Sequence, residues 1–76
     1  MLMRDQREGD NAHVRLSPMQ AVCLRWSAEG KTMKEAAMIE GIRLSDVAFH
    51  LENARRALGA VSLAQAIATA TRLQLI

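Results

Sequence analysis

Ahead of three prospective helices in this chain a hydroxyl residue is followed, three places later, by Glu or Gln: Ser17 and Gln20, Thr32 and Glu35, Ser62 and Gln65. At that spacing the hydroxyl accepts from the amide of the third helical residue, and the longer side chain reaches back to the capping amide. Each pair therefore marks a helix start. Pro18 strengthens the first, because a residue with no N–H donor and a fixed φ suits the first helical position. Gly30, Gly41 and Gly59 stand where the runs should stop, and the tolerance of Gly41 for positive φ permits a sharp reversal there. This punctuation leaves room only for short helices joined by very short turns. It predicts a first helix from Ser17 to about Ala28, a second from Thr32 to Gly41, and a fourth from Ser62 to about Leu73, before the apolar end Leu75-Ile76. The third start is less clean. Arg43 stands where a capping Ser or Thr is expected, so Ser45 is the expected cap, with Asp46 favourable against the helix dipole and Leu58 the last residue before Gly59.

Composition agrees with helices alone. Hydrophobic residues make up 50% of the chain, and Trp26 and Phe49 are its only aromatics. The remainder is chiefly Ala, Leu, Met and Ile, which favours close-packed helices over strands. The expected fold class is all-α. A chain of 76 residues makes one small domain, which buries only about 60% of its unfolded surface, so association is a natural stabiliser. Residues 4–13 offer almost nothing to bury, and residues 1–15 are expected to be a flexible polar tail ahead of a domain at 16–76. Ten Lys and Arg against eight Asp and Glu leave a net charge of +2, a weak electrostatic argument for nucleic acid. Cys23 is alone, which excludes an internal disulfide and reads as a small buried hydrophobe. No window approaches the roughly 18 apolar residues of a membrane span, and Met1-Leu2-Met3 runs straight into charges instead of a signal-peptide core. The expected location is the cytoplasm.

The third helix divides into two faces. Val47, Leu51, Ala54 and Leu58 recur at helical spacing and form a core stripe. Ser45, Phe49, Glu52 and Arg56 form the opposite stripe, flanked by Ala48 and Arg55. This is the face that the second helix of a helix-turn-helix offers to the major groove. Its charge is thin: within residues 42–58, Arg43, Arg55 and Arg56 meet Asp46 and Glu52.

At this point the residues resemble the LuxR/GerE-type helix-turn-helix domain, in particular that of acyl-homoserine-lactone quorum-sensing regulators. The likeness runs without a gap from Leu16 to Ile76, through Leu16-Ser17-Pro18, Cys23-Leu24-Arg25-Trp26, Lys34-Glu35-Ala36-Ala37, Gly41-Ile42, Phe49-His50-Leu51, Leu58-Gly59 and Gln65-Ala66. It implies a four-helix domain in which the third helix enters the major groove, the first two brace it, and the fourth contributes to a two-fold dimer on a palindromic site. On the fourth helix, Ala66, Ala70 and Leu73 suit the core, while Ala64, Ala68 and Thr71 make a stripe of small residues that suits a dimer contact. The chain departs from the family pattern at Gln20, Val22, Asp46, Ala48, Ala57 and Leu63, where acidic, polar or basic residues are usual. Losing cations at such positions weakens phosphate neutralisation, and Asp46 near a helix start competes with phosphate for the same amides.

The expected DNA contacts are Lys34, Ser45, Phe49, Glu52, Arg55 and Arg56. Lys34 and Arg56 suit phosphates. Phe49 suits a thymine methyl or a protein partner, and Glu52 suits the amino group of cytosine or, as the ordinary alternative, an ion pair with Arg55 or Arg56. His50 has no partner at metal spacing and reads as structural. No nucleophile with a base, phosphate-cradling glycine loop or carboxylate pair is present, so no enzyme, metal or cofactor is expected. Two functions follow. The leading one is a single-domain regulator that binds double-stranded DNA as a homodimer at the bacterial nucleoid. The rival is a protein impaired in DNA binding that heterodimerises with, and modulates, a full-length LuxR-type quorum-sensing regulator. The lactone-sensing domain of that branch has no counterpart in these residues, so any signal is expected to arrive through a partner or through expression level.

Overall fold

The computed structural model describes residues 14–76, and the tail expected over residues 4–13 lies outside them. The described residues form four helices: α1 (Pro18–Ala28), α2 (Met33–Glu40), α3 (Leu44–Ala57) and α4 (Leu63–Arg72). This is the expected all-α, four-helix arrangement. Both early capping boxes close in full. The Ser17 amide donates to Gln20 Oε1 at 2.9 Å and the Gln20 amide to Ser17 Oγ at 3.1 Å. The Thr32 pair matches them at 2.8 and 3.0 Å. The third is displaced by one residue. Ser62 Oγ accepts from the Gln65 amide at 3.1 Å, but Gln65 Oε1 takes the Val61 amide at 2.6 Å, because Ser62 is extended at φ −151° and the preceding amide comes within reach.

The start of α3 differs from the expectation. Ser45 is the second residue of the helix, and Arg43 is the cap. An arginine side chain has no acceptor for a helical amide, so only the return half of a capping box forms: Asp46 Oδ2 accepts from the Arg43 amide at 3.2 Å and from its Nε at 3.4 Å. The tight turn before it places the cap there. Gly41 takes φ +70°, and the amides of Gly41 and Ile42 both return to the Ala37 carbonyl, which ends α2 and aims the chain into α3 within three residues.

Among the described residues, Leu24, Val47 and Cys23 are the largest fully buried side chains, and six of the ten buried residues are alanines. Alanines let helix backbones approach closely, which makes a thin but dense core. Leu24 and Val47 each contribute about 1.5–3 kcal/mol by full burial. The core stripe read for the third helix is the observed one, with Val47, Leu51 and Ala54 buried and Leu58 half-buried against them. Trp26 closes one side, donating its Nε1–H to Glu40 Oε2 at 2.7 Å and so tying α1 to the end of α2. At the other end the chain turns through Gln74, at φ +59°, so that Leu75 and Ile76 pack back on the cluster. Both α2 and α4 pack against α3 without packing against one another. A cleft therefore opens between them, floored by α3.

A Cβ at position 41 meets nothing within 4 Å, so its cost is backbone strain alone. Gly41→Ala should destabilise the fold by about 1–2 kcal/mol, read as a lower urea midpoint with an unchanged slope. The cap carboxylates set a pH dependence. Glu35 and Asp46 are held below the usual carboxylate range, first by the backbone hydrogen bonds they accept from Thr32 and Arg43. A pKa lowered by folding contributes stability above the unfolded value, about 4, which is lost as the pH falls through the folded one. Urea midpoints should accordingly hold from pH 7 to about 5 and drop below about 4. The Glu35→Gln, Asp46→Asn variant, whose amides still accept the cap hydrogen bonds, should show a flatter profile over the same range.

Candidate nucleic-acid interface

The outward stripe of α3 is exposed along its length. Ser45, Ala48, Glu52 and Arg56 are all open to solvent, and Phe49 is 63% exposed, its ring edge-on to His50 at a centroid separation of 5.8 Å. A phenyl ring left this open at the centre of a helix face has no role in the core. His50, half-buried beside it, serves as its neighbour. Among the described residues no group of His, Cys, Asp and Glu is disposed to hold a metal.

The charges on this face are arranged around Glu52. Its Oε2 accepts from Arg55 Nη2 at 2.6 Å and from Arg56 Nε at 3.1 Å, and its Oε1 accepts from Arg55 Nε at 3.1 Å. These bonds, Arg55 foremost, pull the Glu52 carboxyl down to about 2, so it is ionised at any physiological pH. The ordinary alternative for Glu52 is thus the observed one, with both arginines taken up together. Arg55 has a second bond: Nη1 donates to the Ala60 carbonyl at 2.6 Å, so its guanidinium ties the body of α3 to the turn that launches α4. Among the described residues Arg56 is held by Glu52 alone, and its side chain is 71% exposed, leaving it free to swing toward another anion. Lys34 is exposed in the first turn of α2 and has no ion pair among the described residues. Asp46 is occupied with its own cap, and Arg43 with Asp46.

The site residues named from sequence therefore fall into three groups. Ser45, Phe49, Glu52 and Arg56 share one exposed stripe on α3, with Lys34 on the neighbouring helix. Arg55 turns to the side, half-buried. Ala64, Ala68 and Thr71 lie exposed on α4, with Thr71 Oγ1 donating to the Ile67 carbonyl at 2.8 Å. Sequence reasoning missed the cleft of about 230 Å3 between α2 and α4, whose apolar walls are Met33, Ala48, Leu51 and Leu63 and whose polar edge is the paired Glu52 and Arg55. Only the three-dimensional gap between α2 and α4 brings Met33 and Leu63 together, and no spacing in the chain signals it. Among the described residues no helix is long and apolar enough to cross a membrane.

Comparison with known proteins agrees with this geometry. The model of the luxR family of bacterial regulatory proteins, the GerE domain, matches residues 14–70. The chain is 41% identical over 61 residues to the transcriptional activator protein TraR of Rhizobium radiobacter, covering 80% of this chain and 26% of that protein. It is 42% identical over 62 residues to the quorum sensing-dependent transcriptional regulator RpaR of Rhodopseudomonas palustris, covering 82% and 26%. It is 39% identical over 61 residues to the transcriptional activator protein YukR of Yersinia ruckeri, covering 80% and 27%. The chain thus spans about a quarter of the length of these relatives. With the family match covering all of α1, α2 and α3 and most of α4, the chain belongs to the luxR family of bacterial regulatory proteins and carries its DNA-binding helix-turn-helix domain.

Proposed function

We propose that this chain regulates transcription by binding double-stranded DNA as a homodimer, with α3 in the major groove and α4 at the two-fold axis. The observation that carries the reading is the exposed α3 stripe of Ser45, Phe49, Glu52 and Arg56 beside an exposed Lys34 that has no ion pair among the described residues. Lys34 meets phosphate at the amide-rich start of α2, and Arg56 reaches the backbone from the last turn of α3. Ser45 supports the same strand with its hydroxyl, Phe49 and Glu52 face base edges, and Arg55 sets the angle between α3 and α4. The exposed small residues Ala64, Ala68 and Thr71 support a close two-fold contact between α4 helices. The names of the relatives, transcriptional activators and quorum sensing-dependent regulators, support a place in cell-density signalling. In this reading the protein works on the nucleoid in the cytoplasm, without catalysis or a cofactor.

One observation favours a second reading. Glu52 holds two of the three arginines on α3 and its cap, and the neighbouring cleft is walled by apolar side chains. A domain so altered would act as the weak partner in a heterodimer with a longer LuxR-type regulator. Titration of mixed-sequence duplex at low salt separates the two. Binding is expected, with affinity falling as salt rises. Lys34→Ala should lower the slope of log K against log salt by about 0.9, and Glu52→Lys, which frees both arginines, should raise it by at least as much. No binding by the parent chain at low salt would overturn the DNA reading. In sedimentation, Ala68→Arg should convert a dimer to a monomer, and a dimer that survives that charge would place the interface elsewhere.

A further inference from the structure

We propose that α3 reads the pyrimidine edges of its base pairs, setting thymine methyl groups against Ala48 and Phe49 and the amino group of cytosine against Glu52. The proposal rests on the DNA-binding reading above and goes beyond it, to the bases themselves.

The residues near the start of a recognition helix contact base edges. In α3 the exposed residues ahead of the last turn are Leu44, Ser45, Ala48, Phe49 and Glu52, and no cation is among them. Arg43 precedes the helix with its guanidinium on Asp46, and Arg55 is divided between Glu52 and the Ala60 carbonyl. Arg56 stands in the last turn, away from the helix start. Guanine is most often read by Arg or Lys donating to O6 and N7, and the centre of this face has no such donor. It offers a methyl group, an exposed ring and an ionised acceptor. Those are the complements of what pyrimidines present in the major groove, the C5 methyl of thymine and the N4 donor of cytosine.

Glu52 has the capacity for this despite its arginines. A carboxylate offers about four acceptor positions, and three hydrogen bonds are made to it. Only one of them falls on Oε1, which leaves a position for one more donor. The arginines also fix the side chain's rotamer, so that little conformational entropy is lost when a base arrives. Ala48 borders the apolar cleft walled by Met33 and Leu63, which extends the dry surface beside it.

The test begins with the duplex that the whole chain selects from a mixed-sequence pool at low salt. That duplex is then remade with deoxyuridine for thymidine, which removes only the methyl groups, and separately with 7-deazaguanine, which removes N7. Deoxyuridine should weaken binding by about fourfold for each contacted methyl. The 7-deaza duplex should bind as the parent does. Phe49→Ala, a change at an exposed residue, should shrink the deoxyuridine penalty, and Glu52→Ala should relax selection for cytosine at one position of the site. Equal binding of the deoxyuridine duplex, or a loss confined to the 7-deaza duplex, would overturn pyrimidine reading while leaving DNA binding intact. A pool that binds at low salt without converging would do the same. Binding to no duplex at all would overturn both this inference and the function on which it rests.

Discussion

The packing of α1 on α3 is the contact on which the rest of the molecule depends. Cys23 and Leu24 on one side and Val47, Leu51 and Ala54 on the other are almost wholly removed from water, in a domain where alanine dominates the buried set. With so few large side chains inside, each carries a large share of the marginal stability of a small domain. This seam also does the positional work. It turns the inner stripe of α3 inward and so commits Ser45, Phe49, Glu52 and Arg56 to the outside. The exposed face is a consequence of the buried one.

Local chemistry made most of the fold legible from the chain. The Ser17 and Thr32 boxes and the left-handed glycine at 41 act within one turn of helix, and each appears as the spacing implies. The misses share a different cause. Ser45 was the reasonable cap on propensity, but the tight reversal through Gly41 and Ile42 starts α3 earlier, at a residue with no side-chain acceptor. The Trp26 to Glu40 bond and the cleft between Met33 and Leu63 join residues that are far apart in sequence. Periodicity within a single helix carries no trace of such contacts.

The electrostatics of the candidate interface depend more on pairing than on net charge. Counted from sequence, Arg55 and Arg56 look like two cations ready for phosphate. In the fold, Glu52 holds both, and Arg55 is further engaged with the α3 to α4 turn. Lys34, Arg56 and, at the cap of α3, Arg43 remain exposed cations near the face. An interface with few free cations and an apolar centre gains modestly from counterion release, so contacts to base edges must supply a larger part of its affinity.

The central claim is that α3 meets DNA, and amide chemical-shift mapping tests it most directly. On addition of duplex at low salt, the largest shifts should fall on Ser45 to Arg56 and on the first turn of α2 around Lys34, with the α1 to α3 seam unmoved. Shifts confined to α4, or none on α3 at saturating duplex, would contradict the account.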